Sequence, residues 1–292
     1  MTAIDEVTGP VSRPSALVIG GASWNQMIRV PELPRGGSQT LFATGSHEAV
    51  GCSGAGKALN LRACGVDVAL WCRLGDDEPG TRVREELGAA GVELLVETDP
   101  AGTMQHTNLM TVDGERVSVF VTTGSLEDPI GEPWRTLLLE RARGADIVAV
   151  TIFEQTRSLL APLRDAGVPL WVDVHDYDGT QAYHRDFVEA ATFLQLSSVC
   201  LPGWRDFAHE RLASGAELVV VTHGSQGASV LTSHGWHEVA AVPVQDVVDT
   251  NGAGDAFFAG FAAGWAAGLD AASCGLRGAE RAGAAVSSTH LA

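Results

Sequence analysis

Short, continuous apolar runs recur along this chain, separated by stretches of helical periodicity. Ala16-Leu17-Val18-Ile19, Val68-Ala69-Leu70-Trp71, Ile147-Val148-Ala149-Val150, Leu170-Trp171-Val172-Asp173 and Leu218-Val219-Val220-Val221 lack the polar alternation of a half-exposed strand, so each reads as a strand covered on both faces. Between them, residues 58–64, 80–90, 157–166 and 205–214 carry helical patterns. The alternation predicts an α/β three-layer sandwich around a mostly parallel central sheet. Two regions break the rhythm. Residues 28–50 and 104–123 alternate and are rich in β-branched residues, with turn signals at Pro34-Arg35-Gly36-Gly37 and Asp113-Gly114-Glu115. They predict a small antiparallel sheet inserted into a single domain spanning 1–292, because no composition shift marks a linear boundary.

The uncharged segment 256–269 is too short to cross a bilayer, which takes about 20 residues, and reads as a buried helix. Its Gly260, Gly264 and Gly268 recur every fourth residue and are expected to line one face for close packing. Residues 1–14 are polar, without a charged-then-apolar leader, and read as a frayed tail. With 292 residues, 45% of them hydrophobic, the chain can bury a large core. Its formal net charge of −17 argues against a broad nucleic-acid or anionic-membrane surface, while leaving local backbone sites for small anions. The five scattered cysteines contain no C-x-x-C pair, so neither a disulfide framework nor a zinc site is expected, and a reducing cytoplasm fits best.

Candidate chemistry is densest at Asp249-Thr250-Asn251-Gly252-Ala253-Gly254-Asp255. Small residues leading into a helix offer free backbone N–H groups and the positive helix end to an anion, and Asp255 sets a carboxylate beside it. That is equipment for phosphoryl transfer to a hydroxyl: stabilisation of the moving group and a proton acceptor. Gly51-Cys52-Ser53-Gly54-Ala55-Gly56-Lys57-Ala58 matches G-x-x-x-x-G-K, but Ala58 stands where a phosphate loop needs a Mg²⁺-binding hydroxyl. A glycine-rich pocket wall is the better reading. Thr222-His223-Gly224-Ser225-Gln226-Gly227 forms a polar turn at the C-terminal end of a predicted strand, where ligands of open α/β sheets collect. Asp173 occupies a similar strand end, within a loop that fails the calcium-binding spacing. The nine histidines form no metal-binding pair, and no G-x-S-x-G elbow is present.

In this order, these segments resemble the ribokinase-like (PfkB) carbohydrate kinases over almost the whole length. The family's G-x-x-N-x-D and L-P motifs resemble Gly20-Gly21-Ala22-Ser23-Trp24-Asn25 and Leu33-Pro34. Its first signature resembles residues 51–65, its V-G-D-D-x-x-G resembles residues 74–80, and its D-T-x-G-A-G-D is matched at residues 249–255. The resemblance implies a Rossmann-like domain with a β-sheet lid, ATP as donor, Mg²⁺, and a stimulating monovalent cation such as K⁺. It implies Asp255 as general base and Gly252, Ala253 and Gly254 as anion hole. Thr222, Gly224, Gly227 and Asn251 would lie along the nucleotide, and Asp249 and Thr250 near the monovalent cation. Asn25, Gly51, Gly54 and Lys57 would face the acceptor, a small sugar or a nucleoside phosphorylated on a hydroxyl. The exposed edge of the lid can pair with a second copy into a homodimer.

Departures concentrate on the acceptor side. The family's sugar-binding aspartate is replaced by Asn25, its signature asparagine by Gly56 with Lys57 beside it, and its N-x-x-E segment by Ser197-Ser198-Val199-Cys200. An amide both donates and accepts, so a different hydroxyl pattern should be recognised. Lys57 is expected to supply charge near the acceptor or its phosphate. The same departures would suit a weakened member that binds a sugar or nucleotide as a sensor, whereas an intact Asp255 favours the kinase.

Overall fold

The computed structural model describes residues 13–112, 115–125, 127–245 and 247–288. Most of the expected polar tail, and Asp113 and Gly114 of the predicted turn, lie outside the described residues. From the N-terminal side the chain forms β1 (Ser15–Ile19), β2 (Ser23–Arg29), β3 (Gly45–Gly51), α1 (Ser53–Ala63), β4 (Asp67–Leu74), α2 (Glu78–Ala89) and β5 (Glu93–Thr98). Next come β6 (Gln105–Met110), β7 (Arg116–Thr122), α3 (Trp134–Arg143), β8 (Ile147–Val150), α4 (Glu154–Asp165), β9 (Leu170–Asp173) and α5 (Arg185–Ala190). The chain ends in β10 (Phe193–Ser197), α6 (Trp204–Ala213), β11 (Leu218–Thr222), β12 (Ala228–Thr232), β13 (Gly235–Val239), α7 (Ala253–Ala266) and α8 (Ala271–Val286).

All five apolar runs become strands of one nine-stranded sheet, ordered β13-β12-β11-β10-β9-β8-β1-β4-β5. Pairing is parallel from β11 to β5 and antiparallel only at β12 and β13. Alternate residues of each strand serve opposite cores: Ala16 and Val18 pack with Leu59, Phe257 and Phe261, while Leu17 and Ile19 pack with Leu138, Leu159 and Leu163. Helices therefore cover both faces. Each large side chain removed from water there contributes about 1.5–3 kcal/mol, which is why the runs are continuous rather than alternating.

The second sheet has the order β3-β2-β6-β7. Its outer pairs, β2 with β3 and β6 with β7, are antiparallel, and they are joined by a parallel β2–β6 pairing that sets Asn25 beside His106. The first of these strands starts at Ser23 rather than near 28, because the chain turns at Gly20 and Gly21 straight out of β1. The start of β3 has little apolar content and is largely exposed; its pairing with β2, not burial, makes it a strand. In β7 the side chains alternate. Arg116, Ser118 and Phe120 face a cavity, and Val117, Val119 and Val121 are exposed on the other side.

Helix α7 is buried as expected, against α8. A Cβ on Gly260 would meet the Arg277 carbonyl oxygen at 2.5 Å, and one on Gly264 would meet Cys274 Sγ at 3.2 Å, so both permit close helix contact. Gly268 does not. It lies beyond the end of the helix with φ +78° and nothing near it, so it serves the left-handed turn that stops α7. Among the described residues no helix is long and apolar enough to cross a membrane.

Candidate active site

The C-terminal ends of β8 to β11, the N-terminus of α7 and the inner face of the lid enclose a cavity of about 650 Å³. Ligands of open parallel sheets collect at this edge, because strand ends and helix N-termini converge there. From the lid come Asn25, His106, Asn108, Arg116, Ser118 and Phe120; from the sheet ends, Phe153, Asp173, His175 and Thr222; from the turn into α7, Thr250, Asn251, Gly252, Gly254 and Asp255.

Gly252 holds φ +78°, a left-handed conformation suited to glycine, and turns the chain into α7. The Ala253 N–H points back to the Thr250 carbonyl at 3.3 Å. Among the described residues, the amides of Gly252, Gly254 and Asp255 meet no acceptor. The open donors of the expected anion hole are thus at 252, 254 and 255, with Ala253 partly engaged inside the turn. A helix N-terminus with free amides attracts negative charge.

Asp255 does not stand alone. Its Oδ1 accepts from Ser53 Oγ at 2.8 Å and is ion-paired with the Lys57 ammonium. Lys57 also reaches Ser53 Oγ at 2.7 Å and Asp173 Oδ2 at 3.1 Å, with its ammonium 4.8 Å from the centre of the Phe258 ring. The Lys57 side chain is only 2% exposed and does not line the cavity. Lysine is therefore a neighbour of the site's carboxylates, set behind the wall, rather than the acceptor-facing group expected from its motif. Burial works against its charge, but Asp173 and Asp255 outweigh this and raise its pKa above the ordinary lysine value. Burial likewise pushes Asp173 up, while His175 and Lys57 prevail and hold its carboxyl below the usual range. Gln195, a lone amide in an apolar strand, donates to the Gly254 carbonyl at 3.0 Å and to Asp173 Oδ2 at 3.3 Å. It ties β10 to the start of α7.

Other expected residues fall into two groups. Asn25 lines the cavity and takes a hydrogen bond from Ser23 Oγ at 2.8 Å, and its Nδ2 would lie 1.8 Å from a Cβ on Gly51. Gly51 is thus a glycine that makes room for Asn25, off the cavity wall. Gly54 is likewise a packing residue, since a Cβ there would meet the Gly21 carbonyl at 2.5 Å. Thr222 and Gly224 line the cavity, but Gly227 does not: with φ +96° and a Cβ position 2.0 Å from the Val239 carbonyl, it is a turn residue packed on β13. Asn251 lines the wall and accepts a hydrogen bond from Arg116. Asp249 is turned into its own loop, where its Oδ1 accepts the Asn251 N–H at 2.7 Å, and burial raises its pKa; Thr250 alone of that pair reaches the cavity.

Motif reasoning missed Ser53, Gln195 and the lid's His106, Asn108, Ser118 and Phe120. Ser53 lies four residues before Lys57, one helical turn away on the same face, a spacing that could have flagged it. His106 packs against Phe120 with ring centres 3.9 Å apart and the planes tilted by 50°, its Nε2 is buried without a partner, and burial, helped by Arg116, pushes its pKa down to about 4. It is a neutral imidazole that can donate or accept one hydrogen bond toward a hydroxyl.

Among the described residues no three His, Cys, Asp or Glu side chains gather as a metal cage. The oxygens of Asp173 and the Oδ1 of Asp255 are occupied by protein donors. Mg²⁺ keeps several waters and is held by one or two carboxylates plus substrate phosphates, a demand that the exposed Asp176 on the wall can meet.

A model of the pfkB family of carbohydrate kinases matches residues 189–292. Over 263 residues the chain is 33% identical to the acarbose 7(IV)-phosphotransferase of an Actinoplanes strain, covering 88% of this chain and 87% of that protein. It is 31% identical over 260 residues to the ATP-dependent ribose-1-phosphate kinase of Halopiger xanaduensis, covering 85% and 84%. Among solved structures, a microbiome-derived acarbose kinase matches with a TM-score of 0.84 at 28% identity, over 95% of this chain and 94% of that one. Arabidopsis thaliana ribokinase complexed with ribose and ATP matches with 0.78 at 22% identity, over 96% and 95%, which speaks for the fold. With both sheets, the cavity at the strand ends and two such relatives along most of its length, the chain belongs to the pfkB family of carbohydrate kinases and is a sugar kinase.

Proposed function

We propose that the chain transfers the γ-phosphoryl group of ATP to a hydroxyl of a neutral sugar, with Asp255 as general base. The observation that carries this is a carboxylate next to open helix-terminal amides on the wall of a lidded cavity. The acceptor oxygen forms a bond to the γ-phosphorus as the bond to the β-phosphate bridging oxygen breaks; the acceptor proton passes to Asp255 and ADP leaves. The free amides of Gly252, Gly254 and Asp255 would stabilise the negative charge that develops on the moving group, and such fixed donors are worth most in a site that excludes water. Mg²⁺, held on the phosphates with Asp176 in reach, would neutralise part of their charge.

On the acceptor side, Asn25, neutral His106, Asn108 and Ser118 offer uncharged hydrogen-bonding groups beside the rings of Phe120 and Phe153. This suits a polyhydroxylated ring with apolar faces. The acarbose-phosphorylating relatives make an oligosaccharide of that kind the leading acceptor. Thr222, Gly224 and Asn251 would contact the nucleotide. Two copies would pair through the lid, with the exposed Val117, Val119 and Val121 as the apolar surface to be covered; sedimentation velocity reads that directly.

The test is acceptor-dependent ADP release with Mg²⁺, with and without K⁺, across acarbose, ribose, ribose 1-phosphate and nucleosides. Acarbose is expected to give the highest kcat/KM. Turnover confined to nucleosides, or none with any sugar, would remove this assignment.

A further inference from the structure

Lys57 looks in sequence like a ligand for phosphate or acceptor, yet it cannot touch either. Its side chain is 2% exposed, and its three N–H groups are spent on Ser53 Oγ, Asp173 Oδ2 and Asp255 Oδ1. The Phe258 ring lies 4.8 Å from the ammonium. Three donors aimed at three different groups fix the ammonium in place, and the ammonium in turn fixes one oxygen of the carboxylate.

That arrangement is asymmetric. Asp255 Oδ1 receives both Ser53 and Lys57, whereas Oδ2 has no hydrogen-bond partner among the described residues. Oδ2 lies over Gly56: a Cβ there would come within 2.7 Å of it, so a side chain at 56 would displace the carboxylate. Glycine at 56 and lysine at 57 therefore act together, the first clearing space for Oδ2 and the second anchoring Oδ1. Asp173 is the anchor's own anchor. It sits at the end of β9, is 4% exposed, and is held by Gln195 Nε2 at 3.3 Å and by the His175 N–H at 3.0 Å.

We propose that Lys57 is a positioning residue that pins Asp255 through Oδ1, with Asp173 as its second support, so that Oδ2 alone is presented to the acceptor hydroxyl. The proposal rests on Asp255 being the general base. An anchored carboxylate stays in one orientation as the acceptor arrives, and the buried positive charge also offsets the repulsion between that carboxylate and an incoming phosphate.

Lys57→Met alone leaves two carboxylates facing each other without their cation, so the variant to test is Lys57→Met combined with Asp173→Asn, which removes the second charge. The expected result is a kcat about 10²-fold lower, the loss typical of a misplacement on the order of 1 Å, with KM for sugar and for ATP within about threefold of the parent. Its crystal structure should show the Asp255 carboxylate turned or in more than one orientation. Unchanged kcat in the folded variant, a raised acceptor KM with kcat retained, or an unmoved Asp255 carboxylate would each overturn the proposal. Ser53→Ala, which removes one Oδ1 donor and leaves Lys57 in place, is the milder companion; it should lower kcat about tenfold and leave ATP affinity unchanged, and a wild-type kcat there would count against the proposal. Full turnover in Asp255→Asn would instead remove the general-base assignment, and the crystallographic comparison would still decide whether Lys57 anchors residue 255.

Discussion

Replacing Asp255 by asparagine removes a proton acceptor while leaving the local architecture standing. The amide has nearly the same shape, and its carbonyl oxygen can still accept from Ser53 Oγ and Lys57 Nζ, the two donors that meet Oδ1. Lys57 keeps Asp173 at 3.1 Å, so its charge is not orphaned and the cost of about 3–5 kcal/mol for breaking a buried pair is largely avoided. The fold should therefore survive, with a melting temperature within a few degrees of the parent. Turnover should not. A positioned general base contributes about 10²–10⁴-fold, so kcat is expected to fall by that factor, equivalent to about 3–5 kcal/mol of barrier. Because neither ligand is bound through the lost proton-accepting capacity, ATP affinity measured by calorimetry should stay within about threefold. A coupled assay of ADP release against acceptor concentration separates the two effects. A kcat within tenfold of the parent, in a protein that melts normally, would refute the assignment of Asp255 as base.

Three further outcomes follow from particular contacts. Gly260→Ala would set a methyl 2.5 Å from the Arg277 carbonyl and 3.0 Å from Gly278 Cα; overpacking at about 1–3 kcal/mol should exceed the gain of about 1 kcal/mol in helix propensity. A melting temperature lowered by several degrees is expected, and an unchanged or higher one would contradict the packing role of that glycine. Gln195→Leu removes the side-chain donor that reaches the Gly254 carbonyl and loosens Asp173, so kcat should fall about tenfold at nearly constant ATP affinity; full activity would show that this tie does not position α7. His106 has its pKa pushed down to about 4 by burial and by Arg116, from an ordinary value of 6.5. The unfolded chain binds that proton first, so the folded state loses stability as pH falls from about 6.5 toward 4 and gains nothing from this group above that window. His106→Gln should flatten the decline in melting temperature between pH 7 and pH 5, and an identical decline would rule the histidine out as its source.

The large sheet was legible because its interior strands are buried on both sides, and burial on both sides leaves a run of apolar residues with no polar interruption. β10 and β12 escaped that signal for the converse reason. Gln195 interrupts the first, and Ser229 and Thr232 interrupt the second, although all three are buried. Gln195 is satisfied by partners remote in sequence, Asp173 and Gly254, which a local window cannot see. Ser229 and Thr232 find theirs in the neighbouring turns and strand, His223 Nε2 at 2.9 Å and Glu238 for Ser229 and the Gly235 carbonyl at 3.5 Å for Thr232, pairings that a hydrophobicity pattern does not register. α8 was missed because its buried stripe of Ala271, Cys274, Gly275, Gly278 and Ala279 is made of small residues. They carry little hydrophobic contrast, but they allow α7 to approach closely.

The active-site candidate divides along the same line. Residues 249–255 were recognisable because helix start, open amides and carboxylate are contiguous, so one short segment carries both the conformation and the chemistry. The Lys57 anchor is not contiguous: it joins positions 116 residues apart with Asp173 and 198 apart with Asp255, brought together only because parallel pairing stacks the ends of β9 and β10 beside the start of α7. Here the local motif pointed the wrong way. G-x-x-x-x-G-K places a lysine on phosphate when its loop is open to the ligand, whereas in this chain α1 begins at Ser53 and carries Lys57 one turn into the interior. The overall charge sets a further demand on the site. A chain of net charge −17 that phosphorylates sugars must hold an anionic donor against its own long-range repulsion. Surface charges would be screened by salt at distances beyond about 8–10 Å, while open amides at a helix end, in contact with the ligand, are screened far less. Lys57, shared between two carboxylates, brings position rather than surplus positive charge, so the attraction for a phosphoryl group would come from the free amides at 252, 254 and 255, a local device that leaves the acidic outer surface unfavourable to other anions.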